Sequence, residues 1–306
     1  MKIIPTLMSG LLLTLVSVSS VAETSVLFIG NSFTYGYGSA VRFYRHDTVT
    51  DLNNEGLGGV PALFKSFSDQ AGLDNKVYLE TRGGSDLYFH LENKLGVIGR
   101  RPWDQVVMHG YSTLDSKKPG DPNPLINSTA DMSKFFRGIN RDVEIFLTAT
   151  WSRADLIYVD DRPWSDTPIS KMAQDVRAGY DKAAMAPGVK SVNPVGEAWT
   201  RAIEMGLADS NPYDGIDQGK IDLWTYDHYH ASTYGYYLEA LVVFGNVTGI
   251  DPRSLGENEC SAYELGMSRA EVKGLQQAAY EQLASESRVS AAPLKLPKPV
   301  NPERCN

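Results

Sequence analysis

Short apolar runs alternate with helix-like stretches along most of this chain, and this alternation constrains its fold more than any other feature. The apolar runs are residues 26–29, 77–80, 106–108 and 144–147, with a weaker one at 189–192. The helix-like stretches between and after them are residues 62–71, 85–95, 132–139, 169–184 and 197–205. Strands that alternate with helices predict a parallel sheet covered by helices on both faces. We find no repeat and no low-complexity linker, and we assign residues 23–290 to one domain.

The first 22 residues have the pattern of a secretory signal peptide. Lys2 precedes an apolar run at residues 11–18, and Ser20-Val21-Ala22 is a small-residue cleavage site. We therefore predict cleavage after Ala22 and a secreted or periplasmic protein. No later stretch approaches the roughly 18 apolar residues that span a bilayer, so stable membrane insertion is not expected.

The charge of the chain limits its partners. The formal net charge is −8 at pH 7. A nucleic-acid partner would need a basic face, and adsorption to anionic lipid would need one too. Neutral or weakly charged substrates, either small molecules or glycans, fit this charge better. The sequence gives no indication of the oligomeric state.

The two cysteines, Cys260 and Cys305, both lie near the end of the chain. In an exported protein the simplest interpretation is one disulfide, which would tether the proline-rich tail, residues 291–306, to the body. Two thiols with no histidine near them in sequence do not make a zinc site. We expect neither a metal nor a cofactor.

A serine follows the first apolar run. In the stretch VLFIGNSFTYG, residues 26–36, a short strand gives way to turn-forming residues that include Ser32. The hydroxyl of Ser32 is therefore expected to lie at the carboxyl end of a strand, where open α/β sheets bind their ligands. The alternative is that Ser32 only caps the next helix.

A serine nucleophile needs a base and a group that orients the base. Asp227 and His230 lie three residues apart, just before a strongly apolar helix. One turn could present both side chains together, so that the carboxylate binds Nδ1 of the imidazole and Nε2 faces the substrate. The alternative is an ordinary helix-capping turn.

Two long connections follow the third and fourth predicted strands, at the same end of the sheet as Ser32. Residues 111–125 are rich in turn formers, and residues 150–168 carry two tryptophans, two arginines and four aspartates. Loops of this length in a compact domain are often binding loops or lids. The alternative for each is a mobile surface loop.

Together these blocks resemble the SGNH (GDSL-like) hydrolase superfamily, in particular its exported branch with a GNSFT first block and a D-x-x-H last block. The matching stretches are IGNSFT, GGSDLYFHL and DHYHASTYGYYLEA, and the resemblance covers about residues 25–250. Ser32 matches the nucleophile, Gly84 the backbone donor of the second block, and Asp227 with His230 the last block.

The resemblance implies a flavodoxin-like three-layer α/β/α sandwich with a central parallel sheet and an active site across the strand ends. It implies a carboxylic ester hydrolase that works through an acyl-enzyme. Ser32 would attack the carbonyl, His230 would move the proton, and Asp227 would orient the imidazole. The backbone N–H groups of Ser32 and Gly84 would hold the oxyanion.

Two positions depart from the family pattern. Asn31 stands where the first block commonly has an aspartate. In place of the third block, G-x-N-D, the chain has residues 109–112, HGYS, without the asparagine that donates to the oxyanion. The side chain of His109 could donate instead, or it could only pack at the strand end. We interpret His90, in the second block, as a helix-packing residue.

Other functions remain open at this point. Asp227, His228 and His230 could be ligands of a metal-dependent phosphodiesterase, and a catalytically silent glycan-binding protein could have the same fold. Among esterases, aromatic rings near the motifs could stack on a sugar or line a slot for a fatty acyl chain, as in lipases and thioesterases. We favour short-chain acyl or acetyl esters of carbohydrates.

Overall fold

The computed structural model describes residues 23–290 and Cys305. The predicted signal peptide and residues 291–304 and 306 lie outside the described residues. The strands are β1 Thr24–Gly30, β2 Thr50–Asp51, β3 Asn75–Thr81, β4 Gln105–Met108, β5 Glu144–Ala149 and β6 Val189–Pro194. The helices are α1 Gly59–Gln70, α2 Leu87–Asn93, α3 Leu95–Ile98, α4 Asn123–Ile139, α5 Ala154–Ile157, α6 Ser170–Ala183, α7 Val195–Glu204, α8 Thr233–Thr248, α9 Cys260–Glu264 and α10 Arg269–Ser285. Short 3₁₀ turns are Ala40–Phe43, His46–Thr48 and Pro252–Leu255.

The strands form one six-stranded sheet in the order β2-β3-β1-β4-β5-β6, and every pair in it is parallel. The chain builds one half of the sheet to one side of β1 and then crosses to the other side with β4. The last residue of β1, Gly30, lies beside the last residue of β3, Thr81, and Ile29 lies beside Met108 of β4. The segments that follow these three strands therefore meet at one edge of the sheet, which is where such folds bind ligands.

Both faces of the sheet are buried. Val26 and Phe28 of β1 face one core cluster, Leu27 and Ile29 face the other, and each is at most 2% exposed. A strand buried on both faces has no polar alternation, which explains the continuous apolar run. Helices α1, α7, α8 and α10 pack on one side, and α2, α4 and α6 pack on the other. The predicted three-layer α/β/α sandwich is confirmed.

Helix α8 is buried nearly all round because α1 and α10 pack against it in addition to the sheet side. The sequence analysis did not predict α10. Ser268 caps it in a capping box with Glu271, and this S-x-x-E spacing followed by a periodic apolar face was the available signal.

Helix α4 is longer than predicted. It begins at Asn123 and not at residue 132, so the first long loop is correspondingly shorter. The early part reads NPLINSTAD, which looks like a turn. Pro124 is nevertheless compatible with the first helical turn, and Leu125 and Thr129 supply a buried face. Strand β2 has only two residues and was not predicted.

Cys260 and Cys305 form a disulfide, and their Cα atoms are 5.4 Å apart. The backbone carbonyl of Cys305 also accepts a hydrogen bond from the guanidinium of Arg45. This end of the chain is thus attached near the 3₁₀ turns that follow β1. Within the described ranges, no helix has the length and apolar character required to cross a bilayer.

Candidate active site

Ser32 lies in a tight turn directly after β1. A Cβ at Gly30 would lie 2.0 Å from Oγ1 of Thr34, so only glycine fits there. The backbone N–H groups of Thr34 and Tyr35 both donate to the carbonyl of Asn31, at 3.0 and 3.2 Å, and close the turn. Ser32 is 7% exposed at its apex. The hydroxyl is therefore held at the surface of the sheet edge by backbone that has little freedom.

The structure brings Ser32, His230 and Asp227 together. Nε2 of His230 lies 2.9 Å from Oγ of Ser32, and Nδ1 lies 2.6 Å from Oδ2 of Asp227. When the ring is neutral, Nδ1–H donates to the carboxylate, which leaves Nε2 to accept the serine proton. We call these three residues the surface triad. Their connectivity is that of a nucleophile, a base and an orienting carboxylate.

Asp227 and His230 are positioned by a closed loop, residues 225–230. The N–H of Thr225 donates to the carbonyl of His230 at 2.8 Å across the base of this loop. Oδ1 of Asp227 accepts from the N–H groups of Tyr229 and His230, at 3.0 and 2.9 Å. Burial raises the pKa of Asp227, but the hydrogen bonds from the His230 ring and from these two amides lower it to about 2. The carboxylate is therefore ionised across the range in which an imidazole titrates.

Aromatic rings surround the imidazole of His230. The centroids of Tyr229, Tyr37 and Phe33 lie 4.1, 4.6 and 5.5 Å from its own. From α8, the buried hydroxyl of Tyr236 lies 3.3 Å from the carbonyl of Ser32 and 3.2 Å from that of Tyr37, and it donates to this pair. The sequence analysis gave no role to Tyr236, although it lies within the quoted last block.

The side chain of Asn31 connects the segments that follow β1, β3 and β4 by hydrogen bonds. Its Nδ2 donates to the carbonyls of Ser85 and Gly110, at 2.9 and 3.1 Å, and its Oδ1 accepts from the N–H of Phe33 at 3.1 Å. The amide makes these bonds without adding a charge to a residue that is 3% exposed. The replacement of the family's aspartate by asparagine is thus compatible with a bridging role.

Gly84 lies in the exposed turn that follows β3. Its φ is +72°, which favours glycine, and a Cβ there would meet no atom within 4 Å. The N–H of Arg82 donates to the carbonyl of Gly30 at 3.0 Å, which places this turn beside the Ser32 turn. The oxyanion role of Gly84 stays a prediction, and its location beside the triad is compatible with that role.

His109 is a buried packing residue by its contacts. It is 3% exposed, its ring stacks on Phe33 at 5.3 Å, and neither ring nitrogen has a hydrogen-bond partner among the described residues. Burial lowers the pKa of its imidazole to about 3, so the ring is neutral. It lines a small internal cavity with Glu239, whose pKa is raised by burial. These contacts favour the packing interpretation, and the oxyanion role stays a prediction.

The structure does not bring His228 into the triad. Its ring lies 4.3 Å from that of Tyr213. Within residues 23–290 and Cys305, no group of three or more His, Cys, Asp or Glu side chains is arranged to hold a metal ion. Asp227 is hydrogen-bonded to His230, and His230 is hydrogen-bonded to Ser32, as given above.

Both long loops are anchored to α6. Leu114 of the first loop packs against Gly179, where a Cβ would lie 2.6 Å from the leucine side chain. Trp164 of the second loop is 6% exposed, and its Nε1 donates to Asp175 at 3.0 Å. The second loop also contains α5. The prediction that these loops act as lids stays untested.

Exposed tyrosines lie near the loop that holds Asp227 and His230. Tyr226, next to Asp227 in the chain, is 73% exposed. Tyr213, whose ring contacts that of His228, and Tyr158 are 45% and 36% exposed, and their rings are 6.4 Å apart. The sequence analysis did not single out these three tyrosines, because exposure depends on the tertiary fold.

Comparisons with known proteins are informative only at the level of structure. No model of a known protein family matches the sequence. No curated protein matches it either.

Solved structures do match. A DUF4886 family protein from Bacteroides uniformis is 19% identical with a TM-score of 0.62, and the match covers 88% of this chain and 98% of that one. A protein from Parabacteroides merdae, assigned as a GDSL-like lipase, is 18% identical with a TM-score of 0.52, covering 74% and 96%. LAE5, an α/β hydrolase enzyme from the metagenome of Lake Arreo, is 14% identical with a TM-score of 0.50, covering 75% and 97%. The predicted SGNH (GDSL-like) fold is confirmed, and at these identities the likeness concerns the fold alone.

Proposed function

We propose that this chain is an exported serine hydrolase that cleaves short-chain acyl esters, acetyl esters in particular, of carbohydrates. The observation that carries the proposal is the continuous hydrogen-bonded path from Asp227 through His230 to Ser32, with the 2.6 and 2.9 Å separations given above. Export is supported by the signal-peptide pattern and by the disulfide, which is typical of oxidising compartments.

The chemistry follows from these positions. Ser32 Oγ attacks the ester carbonyl while Nε2 of His230 takes its proton and then returns it to the leaving alcohol. Water then attacks the acyl-enzyme by the reverse route, with His230 again as the base. Ionised Asp227 stabilises the imidazolium that forms in each step. The N–H groups of Ser32 and Gly84 stabilise the oxyanion, and each such donor typically contributes on the order of 3 kcal/mol.

The packing below the triad supports a short acyl group. Phe33, Trp151 and Trp199 are at most 2% exposed and stack in series, with centroid separations of 4.3 and 4.6 Å. These rings form a closely packed core beside Ser32, and we take this packing to leave room for only a short acyl group on that side.

The rim of the site supports a carbohydrate as the alcohol. Sugars bind well to tyrosine rings that leave one face in water, because the ring covers the apolar face of the sugar and the hydroxyl bonds its polar edge. Tyr226, next to Asp227 in the chain, and Tyr213, whose ring contacts that of His228, are both exposed. Asp155, which already accepts from Arg153, and Asp214, which accepts from Asn211, keep lone pairs that can accept hydrogen bonds from sugar hydroxyls.

The test is a series of p-nitrophenyl esters from acetyl to palmitoyl, together with acetylated oligosaccharides. We expect the fastest turnover on the acetyl ester and measurable release of acetate from the oligosaccharides. Fastest turnover on the long chains would indicate a lipase or thioesterase instead. Sugar binding without turnover of any ester would indicate a silent glycan-binding protein.

A matched pair of variants tests the sugar contact. Tyr213→Ala should raise KM for the acetylated oligosaccharide and leave p-nitrophenyl acetate unaffected. Tyr263→Ala, at a residue 63% exposed on α9, should change neither. Equal effects of the two variants on the oligosaccharide would contradict the assignment of the rim.

A further inference from the structure

A second chain of a carboxylate, an imidazole and a hydroxyl lies behind the Gly84 turn. Glu80 Oε2 is hydrogen-bonded to Nδ1 of His90, and Nε2 of His90 lies 3.0 Å from Oγ of Ser85. The side chains of Glu80 and His90 are completely buried, on β3 and α2 respectively. We call these three residues the buried relay. His90 was interpreted from the sequence as a packing residue, and the structure adds these polar contacts.

The polar atoms of the buried relay are all paired. The second oxygen of Glu80 accepts from Nδ2 of Asn53 at 3.1 Å and lies 3.5 Å from Nζ of Lys94. Burial raises the pKa of Glu80, but the hydrogen bond and charge of His90, with Asn53 and Lys94, bring it below its ordinary value. Replacing such a buried pair by apolar side chains is often neutral or stabilising. Stability alone therefore does not account for the relay.

The relay ends on the turn that carries Gly84. The hydroxyl and the N–H of Ser85 both donate to the carbonyl of Arg82, at 2.8 and 3.2 Å. The carbonyl of Ser85 accepts from Asn31, as described above. A Cβ on Gly84 would meet no atom within 4 Å. The orientation of its peptide group is therefore set by the hydrogen-bonded residues on either side of the Gly83-Gly84 pair, Arg82 and Ser85.

The buried relay is not a second nucleophilic site. His90 is 0% exposed and Glu80 is 0% exposed, so no substrate reaches the base. The hydroxyl of Ser85 is already bonded to the Arg82 carbonyl. Its contacts lead instead towards the triad through Asn31, which bonds to Ser85 and precedes Ser32 in the chain.

We propose that the buried relay positions the N–H of Gly84 for the oxyanion, so that Glu80, His90 and Ser85 are positioning residues of the site. This inference rests on the proposed ester hydrolysis. Loss of the relay frees the 82–86 turn and moves one oxyanion donor, and it leaves the surface triad and ester binding intact.

The test is Ser85→Ala, with Ser68→Ala as the matched control. Ser68 is also buried and accepts a hydrogen bond, from Nδ2 of Asn75 at 3.0 Å, but Asn75 begins β3 and lies at the opposite edge of the sheet. A misplaced catalytic group costs about 10- to 100-fold in rate. We expect Ser85→Ala to lower kcat for p-nitrophenyl acetate by that factor with KM unchanged. Amide exchange should accelerate at residues 82–86 in this variant and not in the control.

A kcat within twofold of wild type for Ser85→Ala, or a loss matched by Ser68→Ala, would overturn the inference. Unchanged amide exchange at residues 82–86 would overturn it as well. A wild-type protein inactive on every ester would refute the proposed function instead. The exchange measurement would still decide whether the relay holds the turn.

Discussion

The surface triad and the buried relay have the same chemical connectivity and opposite environments. In each, a carboxylate binds Nδ1 of a histidine whose Nε2 meets a serine hydroxyl. The side chain of Asp227 is 25% exposed and lies in a surface loop, whereas that of Glu80 is 0% exposed on β3. Connectivity alone therefore does not define an active site. The two serines are about equally buried, and access to the base and its carboxylate separates a group that can react from a group that can only hold its neighbours.

Removing each serine hydroxyl in turn tests whether the surface triad and the buried relay differ in reactivity. Ser32→Ala should lower kcat/KM for p-nitrophenyl acetate by about 10⁴- to 10⁶-fold, because the nucleophile is lost. Ser85→Ala should cost far less, as given above. If Ser32→Ala keeps full activity, the triad is not the catalytic site.

The next largest effect is expected from Asp227→Asn. The asparagine Oδ1 can still accept from the two loop amides, so the loop should keep its conformation. The Nδ2 group cannot accept from Nδ1–H of His230, and the wrong tautomer is then favoured. We expect a loss of about 10³- to 10⁴-fold in kcat with little change in KM, measured on the acetyl ester. A loss below tenfold would contradict the orienting role of Asp227.

The free energy of unfolding should depend more on the buried relay than on the surface triad, which is the reverse of the order expected for activity. His90→Leu leaves the Glu80 carboxylate buried without its partner and should cost about 3–5 kcal/mol in urea unfolding. The double variant Glu80→Leu/His90→Leu should recover most of that loss. Asp227→Ala, at a partly exposed pair, should cost only about 1 kcal/mol. Equal costs for the buried and surface single variants would remove the distinction between the two sites.

The smallest expected effect is a pH dependence of stability at Asp227. Its pKa falls from an ordinary value of 3.8 to about 2 in the folded protein. A lowered pKa stabilises the fold above the ordinary value, and the stabilisation is lost as the pH falls through the folded value. The difference in Tm between wild type and Asp227→Asn should therefore shrink as the pH falls from about 4 to about 2. A difference that grows on acidification would contradict the assigned direction.

The sequence predicted the layers and the triad for identifiable reasons. Strands buried on both faces leave continuous apolar runs, as at Val26 and Ile29, and the run itself locates the strand end where Ser32 lies. Asp227 and His230 were singled out because they are three residues apart in one turn and match the last block of the superfamily that the sequence resembles. Local patterns of this kind can be recognised in a single sequence without knowledge of the tertiary structure.

The parts that were missed depend on contacts between distant segments. The Tyr236 hydroxyl meets the Ser32 carbonyl across 204 positions of the chain. Glu80 occupies a strand position whose burial only the assembled layers determine, so it resembled an ordinary strand carboxylate. The length of α4 was misjudged because a proline in its first turn looks like a helix breaker in sequence.

Covalent labelling distinguishes the hydroxyl of Ser32, which we propose is reactive, from that of Ser85. The protein would be treated with a fluorophosphonate, and the modified residue would be located by mass spectrometry of its peptides. We predict one adduct, on Ser32, absent in Ser32→Ala and retained in Ser85→Ala. An adduct on Ser85, or an active esterase that carries no adduct on Ser32, would contradict the account.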